Sequence, residues 1–180
     1  MKKAAGLRIV CVAAALFACT EGRTIITVDV LSFLRASGLG ALSYDVRGGV
    51  AQTDVTASRL FSLPPRFRQS SVDSVEVTAG AILKNTAGGG SVVFDVFFAK
   101  QEAGLFSGTP YISASSTVSG VQTDTLLAPT TVSLGDTVFN APDLWVGIRA
   151  RLATDPGPNM AGQLELTVLG LRVVLQDRGF

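Results

Sequence analysis

The side chains able to do chemistry are few, and their types narrow what that chemistry can be. The 180 residues contain no histidine. That removes Ser-His-Asp and Cys-His nucleophile systems and the usual zinc, copper and non-haem iron ligand sets. Carboxylate chemistry, Ser/Lys chemistry and oxygen-ligated calcium are what the composition leaves. Among the carboxylates Asp95 stands apart, because it interrupts the otherwise apolar run Val92 to Ala99. Buried there it needs a partner. Glu76, on the preceding candidate strand, is its possible companion in an acid/base pair for hydrolysis. The plainer reading puts both on an outward sheet face with no catalytic role. Asp45, Asp54, Asp73, Asp136, Asp143 and Asp155 fall mostly at strand ends and turns. Asp136, Asp143 and Asp155 are candidates for one calcium ion, but no D-x-D-x-D-G loop supports them. Turn-stabilising contacts explain them more simply, so no cofactor is expected. Gly88-Gly89-Gly90 lacks the Lys-Ser/Thr of a phosphate loop.

A second group is a candidate for binding. In Leu144–Leu152 the residues Leu144, Val146, Ile148, Ala150 and Leu152 form one face, and Trp145, Gly147, Arg149 and Arg151 form the other. An indole, a flat gap and two cations in line suit a sugar ring stacked on Trp145, with carboxylate or phosphate held by Arg149 and Arg151. The alternative is an outward face on which arginine stems cover Trp145 with a cation–π contact.

Strands must position these residues. Thr24–Leu34, Ala41–Val46, Val50–Leu63, Val72–Leu83, Ser91–Ala99, Tyr111–Val118, Val121–Leu127 and Leu144–Leu152 read as strands by alternation or by β-branched content. Shorter pieces fall at Thr131–Leu134 and Thr137–Phe139. Val72–Leu83 and Ser91–Ala99 flank the Gly-rich stretch Lys84–Gly90 and predict a hairpin, its second strand central to a sheet. Gln163–Gln176 changes phase between Val168 and Leu169, which predicts a β-bulge beside Gly170. The pattern predicts an all-β, two-sheet sandwich, jelly-roll or immunoglobulin-like, of about eight to ten strands. An eight-stranded outer-membrane β-barrel is the alternative. It fits less well, because Trp145, Tyr44 and Tyr111 are too few for aromatic girdles and the residues before Phe180 are charged.

The N-terminus has a different organisation. Lys2, Lys3 and Arg8 precede the short apolar run Ile9–Phe17, which ends in Leu16-Phe17-Ala18-Cys19. The run is far shorter than the ~20 residues of a spanning helix and has the length of a signal-peptide h-region. With a branched residue at −3, a small one at −1 and cysteine at +1, it resembles the lipobox of bacterial lipoprotein precursors. Phe17 departs from the smaller residues commoner at −2. The resemblance implies cleavage after Ala18, diacylglycerol on Cys19, and anchoring outside the cytoplasm, at an outer membrane where the lineage has one. Residues 1–18 are then the signal, 19–23 the lipidated N-terminus and tether, and 24–180 a single β-sandwich domain.

Without Lys2, Lys3 and Arg8 the mature chain holds 12 basic against 14 acidic residues, a net charge of −2. Such a chain has no electrostatic footprint for nucleic acid. With Cys11 removed and Cys19 acylated, no intramolecular disulfide can form. The expected function is non-catalytic: an envelope lipoprotein whose sandwich binds a glycan, a polymer or an envelope protein. Alternatives are a carbohydrate-active module or carboxylate-dependent hydrolase, and a structural subunit assembling through its sheet edges. Arg66-Phe67-Arg68 reads as a solvated turn able to touch lipid headgroups.

Overall fold

The computed structural model describes residues 23–63 and 70–177. The signal, Cys19 and Arg66-Phe67-Arg68 lie outside the described residues. The chain is a β-sandwich of two antiparallel sheets that do not close into a barrel. The barrel alternative is therefore set aside.

The strands are β1 (Arg23–Asp29), β2 (Ala41–Val46), β3 (Thr53–Ser62), β4 (Ser70–Ala87), β5 (Gly89–Ala99), β6 (Ile112–Ser119), β7 (Gln122–Leu127), β8 (Thr131–Leu134), β9 (Asp143–Thr154) and β10 (Met160–Asp177), with one short helix, α1 (Val30–Ala36). The six-stranded sheet is built on the two 18-residue strands β4 and β10, which pair along their length. The outer edge of β10 carries β2 and β1, and that of β4 carries β7 and β8. The four-stranded sheet runs β3-β9-β5-β6.

Alternation fills the space between the sheets. Val75, Val77, Ala79, Ala81 and Leu83 of β4 face Leu144, Val146, Ile148, Ala150 and Leu152 of β9 and Val92, Phe94 and Val96 of β5 across one core, and all are buried. The strand rule of one face in and one face out therefore holds for β4 and β9 as their sequences predict.

Four expectations need correction. The strand expected over Thr24–Leu34 stops at Asp29, whose carboxylate accepts the Ser32 N–H at 3.0 Å and caps α1. Val30, Leu31 and Leu34 lie on the helix's buried side. The helix ends in a Schellman motif, Leu39 N–H to Leu34 O and Gly38 N–H to Arg35 O, with Gly38 at φ +75°. Thr137–Asn140 is a 3-10 turn rather than a strand, capped by Asp136 and burying Phe139. The bulge falls at Thr167 and not at Gly170: the register passes from Leu166↔Ala81 to Val168↔Gly80, and Val168 is turned outward.

The hairpin expected across Lys84–Gly90 does not form. β4 and β5 do not pair; the chain leaves one sheet at Ala87 and enters the other at Gly89. Gly88 has φ +65°, and a Cβ there would sit 2.4 Å from the Asn159 carbonyl oxygen; at Gly90 it would sit 2.1 Å from that of Ala153. The glycines permit a close crossing between layers rather than a hairpin turn. Asn85, buried, holds the crossing: its amide donates to the carbonyls of Ala87, Gly88 and Gly120, and its oxygen accepts from the Tyr44 hydroxyl at 3.0 Å. Burial pushes the Tyr44 hydroxyl up to about 12, so it stays a donor well into the alkaline range. β5 does lie inside its sheet, between β9 and β6, as expected.

Candidate functional site

The register of the four-stranded sheet aligns polar residues in rows on its outer face. One row is Asp54, Arg151, Val93 and Ser115; the next is Thr56, Arg149, Asp95 and Ser113. Asp95 is fully buried, although it lies on the side away from the main core. Its Oδ2 accepts from Nε and Nη2 of Arg149 at 3.1 and 2.9 Å and from Nε of Arg151 at 2.9 Å. Its Oδ1 accepts from the Ser113 hydroxyl at 2.8 Å and from Nη2 of Arg151 at 3.3 Å. Two guanidinium forks thus embrace one carboxylate, a charge-assisted geometry of the strong kind. Asp54 adds a second carboxylate 3.9 Å from Arg149, so these four charges sum to zero.

Burial on an outward face needs a cover, and the segment between β5 and β6 supplies it. It leaves β5 at Ala99 and forms a 3-10 turn at Leu105–Ser107. Glu102 in this strap accepts from the Ser58 hydroxyl of β3 at 3.1 Å. Leu105 is buried, and Phe106 packs edge-on against Phe97 with ring centroids 5.4 Å apart. Arg149 completes this small outer core. Its guanidinium carbon lies 4.6 Å from the centre of the Phe97 ring, and Nη1 donates to the Phe106 carbonyl at 3.1 Å. The strap fills the gap expected at Gly147, where a Cβ would lie 2.7 Å from Leu105 Cδ2 and 2.8 Å from Phe106 Cε1.

This geometry redraws the predicted binding face. Trp145, Arg149 and Arg151 do share the outer face, but the strap crosses at Gly147 between the indole and the arginines. Four residues of strand separate Trp145 from Arg149, about 13 Å. The cation–π partner of Arg149 is Phe97 rather than Trp145. Trp145 is half-buried beside its register neighbour Leu60, which is 44% exposed. The face therefore has two parts: a Trp145–Leu60 patch on one side of the strap, and a neutralised arginine–carboxylate platform on the other. Arg151, its side chain 35% exposed, is that platform's more accessible cation.

The hydrolytic pair does not assemble. Glu76 lies on the outer face of the other sheet, paired with Arg172 at 3.4 Å, whereas Asp95 has both oxygens occupied. Of the candidate calcium residues, Asp136 and Asp143 have their carboxylates engaged by neighbouring donors, and Asp155 is held through its backbone. Asp136 accepts from the Val138 N–H and the Tyr111 hydroxyl, Asp143 accepts from the Ser62 hydroxyl at 2.6 Å, and the Asp155 backbone bonds Gly89 and Gly49. Burial, then the bond to Asp136, push the Tyr111 hydroxyl above its ordinary range. Among the described residues no three acidic or cysteine side chains converge on a metal position.

Sequence reasoning missed the strap, Ser113 and Phe97. The available signal was the pairing of an acid inside one apolar strand with arginines at alternate positions of another. Without strand order, nothing placed them in register.

No family model matches the chain, and no curated protein matches it. It is similar to a chain of infectious bursal disease virus, Gx strain (10% identity, TM-score 0.38, covering 88% of this chain and 34% of that one). It is also similar to the VP2 subviral particle of that virus (12% identity, TM-score 0.30, covering 87% and 38%). A CocE/NonD family hydrolase from Staphylococcus aureus is similar too (10% identity, TM-score 0.32, covering 87% and 37%). The chain spans little more than a third of the length of these solved chains. At such scores the likeness carries no argument about function.

Proposed function

We propose that the chain is a lipid-anchored protein of a bacterial envelope whose β-sandwich binds a partner without catalysis. The observation that carries the anchor is Leu16-Phe17-Ala18-Cys19 behind a cationic and then an apolar segment, with β1 starting at Arg23. A linker of this length places the folded domain directly at the lipid surface. Two or more acyl chains suffice for stable anchoring, where one is marginal.

The binding face in this reading is the outer side of the four-stranded sheet. The Asp95–Arg149–Arg151 network and the strap make it rigid, which lowers the entropy lost on binding. Trp145 and Leu60 offer an apolar patch for a sugar ring or an apolar side chain, and Arg151 at the far edge offers a cation to an acidic group. A glycan, an envelope polymer or an envelope protein fits this description. The burial of Asp95 supports binding over acid/base work, since both its oxygens are occupied by Ser113, Arg149 and Arg151 and neither reaches a substrate.

Membrane partition and binding test the two halves separately. Wild-type protein is expected in the membrane fraction and the Cys19→Ala variant outside it. In a screen of envelope glycans, Trp145→Ala is expected to lose binding. Retention of all binding by Trp145→Ala would remove the proposed face, and membrane retention of Cys19→Ala would remove the anchor.

A further inference from the structure

Five of the seven exposed large apolar residues among the described residues, Ile25, Leu127, Val132, Leu134 and Val168, share one surface. It is the outer face of the six-stranded sheet. Ile25, Val174, Ser74 and Leu134 form one continuous register row across β1, β10, β4 and β8. The next row is Thr27, Arg172, Glu76 and Val132. Further along, Leu127 and Val168 close over Gly80, where a Cβ would lie 3.1 Å from each. Four of the charges on this face form two pairs, Arg172 with Glu76 at 3.4 Å and Lys84 with Glu165 at 2.7 Å, and Arg23 adds a cation at its border. Five exposed apolar side chains interleaved with ion-paired charges on one outer face suit contact with an interface that is itself part apolar and part polar.

The length of chain ahead of β1 says what covers it. Cys19 stands four residues before Arg23, so at most about 14 Å of chain separates the two. Arg23 opens the row next to Ile25, and both belong to the strand that borders this face. We propose that the outer face of the six-stranded sheet docks on the lipid interface beside the acylated Cys19; the proposal rests on the anchor reading above. The short tether makes docking intramolecular, so contacts too weak to hold a free domain suffice. The apolar side chains enter the headgroup boundary, and paired charges there avoid the cost that isolated ones would carry. The sheets stack about 10 Å apart, so docking turns the outer face of the four-stranded sheet, with Trp145 and Arg151, away from the membrane and towards a partner.

The test uses the full lipidated chain, reconstituted in vesicles of phosphatidylcholine and phosphatidylglycerol. Acylated Cys19 leaves no free thiol in the mature chain, so one introduced cysteine takes an environment-sensitive fluorophore. Leu134→Cys and Val132→Cys probe the docking face, and Ser115→Cys probes the opposite one; all three positions are exposed. The labels at 134 and 132 are expected to shift their emission to the blue on vesicles and to be quenched by brominated lipid, and the label at 115 to do neither. A chain that carries its lipid by mass but leaves the labels at 134 and 132 unquenched overturns docking and leaves the anchor standing. A blue shift without quenching by brominated lipid means that a second copy or another protein covers the face, and overturns the proposal. A chain without lipid on Cys19 removes the anchor and docking together.

Discussion

Asp95→Ala is the perturbation that bears most directly on the outer face. The wild-type carboxylate is fully buried and accepts five hydrogen bonds between 2.8 and 3.3 Å. Its removal leaves two guanidinium groups facing each other. Breaking a buried pair from one side costs ~3–5 kcal/mol. Two features reduce that figure here: Arg151 is 35% exposed and hydrates readily, and Arg149 keeps the Phe106 carbonyl and the more distant Asp54. A loss of about 3 kcal/mol follows, a large share of a typical ~5–15 kcal/mol stability. For a domain of this size that lowers Tm by roughly 6–12 °C. Thermal and urea unfolding read the loss. Limited proteolysis reads its location, with new cleavage expected between residues 100 and 110, because Arg149, no longer fixed by Asp95, holds the Phe106 carbonyl of the strap less firmly. The Asp95→Ala/Arg149→Ala double variant is expected to lose less than the sum of the two single losses. A change in stability below about 0.5 kcal/mol, or cleavage sites identical to wild type, would refute the argument that this network holds the strap.

Gly147→Val drives methyl groups into Leu105 and Phe106 and is expected to cost ~1–3 kcal/mol, with strap cleavage as for Asp95→Ala; unchanged proteolysis would show that the strap does not lie on Gly147. Gly88→Ala meets the Asn159 carbonyl at a positive φ, and a loss of at least about 2 kcal/mol in urea unfolding is expected. Asp29→Ala removes the cap of α1 at a cost of about 1 kcal/mol. The Ser32 hydroxyl, followed by the Ser32 N–H, holds the Asp29 carboxyl below its ordinary range. Because the folded value is lowered, the cap's contribution is present above the unfolded pKa and lost as pH falls through the folded one. The wild type and Asp29→Ala should therefore converge in stability at acid pH, and a gap that persisted there would contradict the cap.

Local pattern carried much of the fold into the sequence. The strict alternation of Val75 to Leu83 and of Leu144 to Leu152 specifies which side chains enter the core, because only a strand with one buried face demands that pattern. α1 was hidden by β-branched neighbours, although Asp29 ahead of Val30, Leu31 and Leu34 is a legible cap and helical spacing. The crossing at Gly88 was not legible. A glycine run has the same composition whether it turns a hairpin or slips past another backbone, and here the deciding contacts are with Ala153 and Asn159, more than sixty residues away. The site shows the same division. That Asp95 needed partners followed from its apolar neighbours, and that Arg149 and Arg151 shared a face followed from their spacing. That they met, under a strap closed by Phe106, depended on the pairing of β5 with β9, which no local signal specifies.

In the proposed reading Cys19 carries the protein on a membrane. The intact mass of the protein extracted from membranes, measured beside Cys19→Ala, tests it most directly. A lipoprotein yields a chain lacking residues 1–18 with the added mass of a diacylglyceryl group, and no such species from Cys19→Ala. An unmodified mass, or a chain cut elsewhere, would contradict it.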